Sequence, residues 1–319
     1  MYNKPKTLII GGAGFIGSNI AEHFYEMGLD VTVIDGLLES TGGQKKNLAS
    51  LTGKIKIYFE KIEEVQDLHD FIVESDLIID CMAWTSHQAA IENPFYDLEL
   101  NCKSHLHLIK NLEGTRNKNI IFLSSRGIYG RVEEGLINEK TPKNPIDIQG
   151  IHKLTAEGYY NLYSELFDYN VAILRIPNCF GKNQQTNGDD IGLVGSFIRD
   201  ALLDNEIEVY GTERKRQVIF VTDVIDIIWL IAQKQWGGFV PINLSGYNIP
   251  ISNLAEKIIR IAGSGKMSLK EVPSMIRNID IGNAIIDESS LIKFIGQTHL
   301  ENIDDALEET INYFKENMN

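Results

Sequence analysis

The chain has 319 residues, of which 43% are hydrophobic and 23% charged, ordinary values for a globular protein that buries a large core. A net charge of -14 argues against nonspecific nucleic-acid binding, and no apolar run approaches the length of a membrane span. Residues 1 to 6 carry no apolar signal region, and Cys81, Cys102 and Cys179 show neither a close pair nor metal-ligand spacing, so a cytoplasmic protein with reduced thiols and no metal site is expected.

The apolar run Leu8 to Ile10 reads as a buried strand. Gly11, Gly12, Gly14 and Gly17 follow at once, and Phe15, Ile16, Ile20 and Phe24 then recur at helical spacing up to Gly28. Strand, glycine turn and helix form a dinucleotide-binding unit: a turn without Cβ atoms lets the backbone approach a pyrophosphate, and the helix N-terminus binds the anion. The next strand, 31–35, ends in Asp35, 18 residues past Gly17. A carboxylate there accepts hydrogen bonds from the adenosine ribose and repels a 2′-phosphate, which favours NAD over NADP.

Further strands are expected at 55–59, 77–81, 120–125 and 171–175, with helices at 95–112 and 149–167. This alternation predicts an α/β fold, a Rossmann-type doubly wound parallel sheet. Ligands of such sheets sit beyond the carboxyl ends of the strands, which selects residues 11–17, Asp35, 82–87 and 124–130. Past residue 175 the pattern loosens: a loop at 182–192, a helix at 193–203, a strand at 206–210, the basic cluster Arg214-Lys215-Arg216, a strand at 219–221, and helices at 224–232, 252–262 and 304–317. No internal repeat is present.

Several segments in order resemble the extended short-chain dehydrogenase/reductases, in the group of NAD-dependent sugar-nucleotide epimerases and dehydratases. Gly11 to Gly17 matches the cofactor loop of that family. Asp80-Cys81-Met82-Ala83 stands, loosely, where the family has His-Leu-Ala-Ala, and Asn101 matches a helical Asn. Ser124-Ser125-Arg126-Gly127-Ile128-Tyr129-Gly130 matches Ser-Ser-x-x-Val-Tyr-Gly, and Arg175 to Gly181 matches Arg-x-x-Asn-x-Tyr-Gly. Arg216 to Asp223 keeps the Arg, Val and Asp of a later segment.

The resemblance implies an NAD-binding domain over 1–174, with 217–243 returning to it. A smaller mixed α/β part, 175–216 and 244–319, would bind a nucleoside-diphosphate sugar. It implies cofactor contacts from Gly11, Gly14, Phe15, Ile16, Gly17, Asp35, Ala83 and Lys153, and substrate contacts from Ser125, Arg126, Asn178 and Arg216. It further implies a homodimer through four helices, with Leu106, Ile109, Leu154, Leu162 and Leu166 as the apolar residues. In the family a Tyr exchanges a proton with the sugar while hydride moves to or from nicotinamide, a Lys holds the nicotinamide ribose and lowers the Tyr pKa, and a Ser or Thr binds the reacting oxygen.

Ser125 and Lys153 are in place, but the Tyr four residues before Lys153 is replaced by Gln149, which does not titrate. The leading substitute is His87, after the fourth strand, followed by His152, which a helix turns about 100° away from Lys153. The alternatives are slow turnover with water or a substrate hydroxyl relaying the proton, and a binding protein that has lost redox chemistry. The 4,6-dehydratases carry Asp-Glu after the Ser or Thr; Arg126-Gly127 supplies no carboxylate, so dehydration is disfavoured and oxidoreduction or epimerisation at C4 is left. Arg214 and Lys215 read as a solvated charge run, Arg175 as structural, Lys182 and Arg199 as weaker phosphate ligands, and Trp84 either as a packing surface for sugar or nicotinamide or as a core aromatic.

Overall fold

A computed structural model describes residues 5–188, 191–211, 213–273 and 281–318. The first half runs β1 (Lys6–Ile10), α1 (Phe15–Glu26), β2 (Asp30–Ile34), β3 (Lys56–Tyr58), α2 (Leu68–Glu74), β4 (Leu77–Asp80), α3 (His87–Glu92), α4 (Pro94–Leu98), α5 (Ser104–Lys110) and β5 (Asn119–Ser125). Then come β6 (Leu136–Ile137), α6 (Ile148–Phe167), β7 (Asn170–Ile176), β8 (Asn178–Phe180), α7 (Gly192–Leu202), β9 (Glu206–Tyr210), β10 (Lys215–Phe220), α8 (Val221–Ala232) and β11 (Phe239–Asn243). The chain ends with β12 (Tyr247–Pro250), α9 (Ile251–Ala262), β13 (Lys266–Lys270), β14 (Ile285–Ile286) and the helices Ser289–Ile295 and Ile303–Asn317.

Seven strands form one parallel sheet in the order β11-β7-β5-β4-β1-β2-β3. Its strands are apolar on both sides because helices cover both faces. Ile9, Val33, Ile79, Ile121 and Leu174 point into one core with α1 and α8. Their neighbours Leu8, Ile34, Ile78, Ile120 and Ile173 point into the other, with α2, α5 and α6. The order breaks at β1, between β2 on one side and β4 on the other. That is the switch point where a sheet of this kind opens a crevice. Beyond it lie a three-stranded sheet, β12-β10-β8, and the short parallel pairs β13-β9 and β14-β6. No helix among the described residues is long and apolar enough to cross a membrane.

Three expectations need correction. The helix expected at 95–112 is present but irregular: it runs helically from Pro94 to Lys110 through a π-helical turn, Glu99–Lys103, between α4 and α5. Asn101, inside that turn, spends its side chain on the backbone of Trp84. Strand β10 begins at Lys215, so part of the basic cluster is strand, and α8 follows directly at Val221. Ile109 is fully buried in the core beside the sheet and cannot line a dimer surface. The expected Leu162 and Leu166 are exposed on α6, together with Ile151, and Phe95 and Leu98 on α4.

Candidate active site

The cofactor cleft is built first by what is missing. Gly11 has φ 75°, and a Cβ there would lie 3.0 Å from the backbone of Cys81 and Met82, at the end of β4. A Cβ on Gly17 would lie 2.3 Å from the Gly11 carbonyl oxygen. The turn therefore closes only without side chains. It delivers the N-terminus of α1, capped by Gly14 with no side-chain cap and no acidic residue in its first turn. Phe15 and Ile16 pack their side chains on the core, so what they offer an anion is the unsatisfied N–H of a first helical turn. Asp35, just past β2, lines the same cleft with Gly11, Gly14, Met82 and Ala83. Its Oδ2 accepts from Ala13 N–H and its Oδ1 from Leu37 N–H, both at 2.8 Å. Burial raises its pKa against these donors. Lys61 and Ile62, right after β3, form a further wall that the sequence reading missed. The strand-end rule applied to β3 would have found them. A side-chain-free turn, an uncapped helix start and a carboxylate one strand over fit a dinucleotide. Gly17→Ala is expected to weaken NADH binding at least about tenfold by calorimetry, because the new methyl meets backbone; unchanged affinity would contradict this reading of the turn.

The loop after Asp35 closes another side of the cleft through Leu38, Thr41 and Gly42. It holds Leu37 and Ser40 at positive φ, 47° and 59°. Three successive carbonyls of this loop are each caught by a donor from a different segment. Tyr96 OH donates to Glu39 O (3.1 Å), Trp84 Nε1 to Ser40 O (3.0 Å) and Gln185 Nε2 to Thr41 O (2.7 Å). Trp84 is thus a core aromatic, buried edge-on against Tyr96.

The reacting end lies beyond β4 and β5. Ser125 ends β5, and its Oγ accepts from Gly127 N–H at 3.0 Å. Lys153 comes from α6; its Nζ donates to Met82 O (3.0 Å) and Leu123 O (3.2 Å) and sits 4.8 Å above the Phe122 ring. Burial lowers the Lys153 pKa to about 8. Gln149, one turn earlier and also buried, donates from Nε2 to the Trp84 carbonyl at 2.9 Å. That carbonyl also accepts from Asn101, whose Oδ1 takes Trp84 N–H. His87 opens α3 with its Nδ1 3.1 Å from Asp147 Oδ2. Asp147 caps α6 two residues before Gln149, accepting from Gly150 N–H. Burial works against the Asp147 charge, yet His87 and Gly150 hold its pKa below the usual range. The structure thus brings Ser125, Gln149 and Lys153 to the strand ends and puts His87, about half exposed, against Asp147 at the start of α6. His152 Nδ1 lies 2.5 Å from the buried Asp97, which also accepts from Asn101.

On the far side, Arg126 and Arg216 reach the same short segment. Arg126 Nη2 donates to Ile281 O (3.3 Å), and Arg216 Nη1 to Lys215 O (2.7 Å) and Gly282 O (3.4 Å). Asn178 Nδ2 donates to Gln217 O on β10 (3.0 Å). Lys182 and Arg199 are paired with Glu22 and Asp200. Arg175 is buried and structural: Nε and Nη2 grip Glu157, and Nη1 donates to Tyr129 OH.

Fold and cleft define a nicotinamide-dinucleotide protein of the short-chain dehydrogenase type. Residues 7–244 match the model of the NAD dependent epimerase/dehydratase family, and the chain belongs to that family. It is 31% identical to the putative UDP-glucose 4-epimerase of Methanocaldococcus jannaschii over 221 residues, 68% of this chain and 70% of that protein. It is 26% identical to UDP-glucuronic acid decarboxylase 1 of Xenopus tropicalis over 327 aligned positions, covering 99% of this chain and 73% of that one. A solved structure, UDP-N-acetylglucosamine 4-epimerase of Methanobrevibacter ruminantium, superposes with TM-score 0.87 at 25% identity, over 98% of this chain and 99% of that chain.

Proposed function

We propose that this protein carries out NAD-dependent oxidoreduction or epimerisation at C4 of a nucleoside-diphosphate sugar, with His87 moving the proton that Tyr moves in its relatives. The named relatives act on UDP-sugars, which makes uridine diphosphate the nucleotide to test first. The observation that supports this most is Lys153, buried and bonded to the carbonyl of Met82, which lines the glycine cleft, and to that of Leu123 on β5. Nicotinamide, when bound, supplies hydride transfer to and from the sugar carbon. Lys153 offers a positive amine to the cofactor ribose, and Ser125 Oγ a hydrogen bond to the reacting oxygen. His87, oriented by Asp147, takes and returns the hydroxyl proton. Arg126, Asn178 and Arg216 are proposed to face the substrate, the two guanidinium groups suiting phosphate oxygens. The absence of a carboxylate at 126–127 disfavours 4,6-dehydration.

We assign 1–174 and 217–243 to the cofactor and 175–216 and 244–319 to the sugar nucleotide. A cytoplasmic homodimer through α4 and α6 accounts for the exposed Phe95, Leu98, Leu162 and Leu166.

A second reading, binding without turnover, is favoured by Gln149 itself: its amide is engaged by the Trp84 carbonyl and cannot titrate. Incubation with UDP-, GDP-, dTDP- and CDP-sugars separates the two. Reduced nicotinamide absorbance, or a changed sugar by NMR, is expected with a UDP-sugar. Tight binding with no conversion across the panel would establish the second reading.

A further inference from the structure

Beneath Lys153 lies a buried polar cluster that the proposed chemistry does not use. Asp80, at the end of β4, and His105, on α5, are fully buried, and Tyr160, on α6, is almost so. Asp80 Oδ2 accepts from His105 Nδ1 and Tyr160 OH, each at 2.6 Å, and its Oδ1 accepts from Met82 N–H at 3.0 Å. The protonation states are set by the surroundings of each atom. His105 Nε2 is buried and meets no hydrogen-bond partner among the described residues, so a proton there would be an unpaired donor. The ring is therefore neutral, with its proton on Nδ1 pointing at Asp80; burial, the largest influence on this ring, also disfavours its charged form. Tyr160 is likewise a neutral donor, its phenol pushed up by burial and by Asp80. Three donors stabilise the carboxylate, but none neutralises it.

A lone buried anion is costly and needs a cation. Lys153 is placed to be that cation. Met82 links the two groups directly: its N–H donates to Asp80 and its carbonyl accepts from Lys153. Phe122 links them a second time. Lys153 Nζ lies 4.8 Å over its ring, while His105 and Tyr160 contact the same ring at 4.8 Å and 4.9 Å between centroids.

We propose that Asp80 is a positioning residue for Lys153: its buried carboxylate, fixed by His105, Tyr160 and Met82, keeps the Lys153 amine charged and held at the end of β4. This rests on the reading that Lys153 serves the cofactor. The other titratable groups around Lys153 are Cys81 after β4, Asp97 on α4, Cys102 in the π turn and His152 on α6. Asp97 accepts a hydrogen bond from Asn101 and lies against His152, and Glu157, one turn further along α6, is paired with Arg175. Of these groups Asp80 is the strongest influence raising the Lys153 pKa against burial, ahead of Asp97.

The test reads the amine directly, without cofactor. In 15N-lysine NMR spectra, with the Lys153 signal assigned through Lys153→Arg, the wild-type amine should titrate near 8. Asp80→Asn removes an anion that favours the charged form, so the midpoint should fall by about one pH unit or more, a tenfold change in proton affinity. His105→Gln keeps the carboxylate and should leave the midpoint in place. Equal shifts in the two variants would mark a packing effect and overturn the proposal, as would no shift in Asp80→Asn. If Asp80→Asn does not fold, the wild type still decides: a 13C-carboxyl titration placing Asp80 in its neutral form at pH 8 also overturns it. NADH calorimetry across pH then tests the underlying reading separately. Affinity that ignores pH while the amine titrates would remove Lys153 from the cofactor site and leave its pairing with Asp80 intact.

Discussion

Arg175→Ala should cost about 3–5 kcal/mol of folding stability, read as a lower urea midpoint, because it strands a buried carboxylate. Arg175 and Glu157 are almost fully inaccessible, with side-chain exposures of 3% and 4%. Their bond is bidentate, 3.1 Å to Oε1 and 2.7 Å to Oε2. Ser124 adds a donor to Glu157 at 2.6 Å, and Tyr129 carries the network to Asn243 on β11. The pair thus ties α6 to the sheet across β5, β7 and β11. Removing the cation alone leaves the buried Glu157 without a counter-charge and with Ser124 as its remaining donor. Replacing both partners by apolar residues, as in Arg175→Met with Glu157→Leu, should cost less than Arg175→Ala alone, since desolvation of the two charges is then no longer required. A single-variant loss below about 1 kcal/mol would place this pair with weak surface bridges.

His87→Ala is expected to lower kcat by about 10²–10⁴-fold with the sugar nucleotide that the protein turns over, the usual contribution of a positioned acid–base group. The side chain is about half exposed, so its loss should leave the fold unchanged. Asp147→Asn preserves the helix cap, because an amide oxygen still accepts from Gly150 N–H, but removes the charge that orients the imidazole. Its effect should be smaller than that of His87→Ala and of the same sign. Gln149→Tyr in the His87→Ala background should restore turnover if the phenol reaches the position it holds in relatives. Full activity in His87→Ala would exclude His87 as the proton carrier.

The parts of the site legible in the sequence are those whose geometry is local. Gly11 to Gly17 and Asp35 belong to one strand–turn–helix–strand unit, and the spacing from Gln149 to Lys153 is one turn of α6. Ser125 is found at the end of an apolar run. The less legible parts are held together across long separations. Asp80 meets His105 and Tyr160 over 25 and 80 residues, and nothing in the spacing of those three points to one cluster. The π turn at Glu99–Lys103 hides in an otherwise helical pattern, and Ile109, given to a dimer surface by the family resemblance, lies in the core. Trp84 is legible as an aromatic near the site, but its main contacts run through its own backbone amide, carbonyl and indole N–H. Sequence patterns carry no signal for those.

The loop at residues 39–41 is fastened by donors from α4, from the segment after β4 and from the segment after β8. None of these donors can be released by moving the loop's own side chains. To swing open, the loop must break all three bonds together, at a net cost of about 0.5–1.5 kcal/mol each. Three elements distant in sequence thus hold this wall of the cleft in place together. A cleft wall pinned by its own carbonyls is a fixed surface, so a substitution at Tyr96, Trp84 or Gln185 changes the shape of the cleft without touching a residue that lines it.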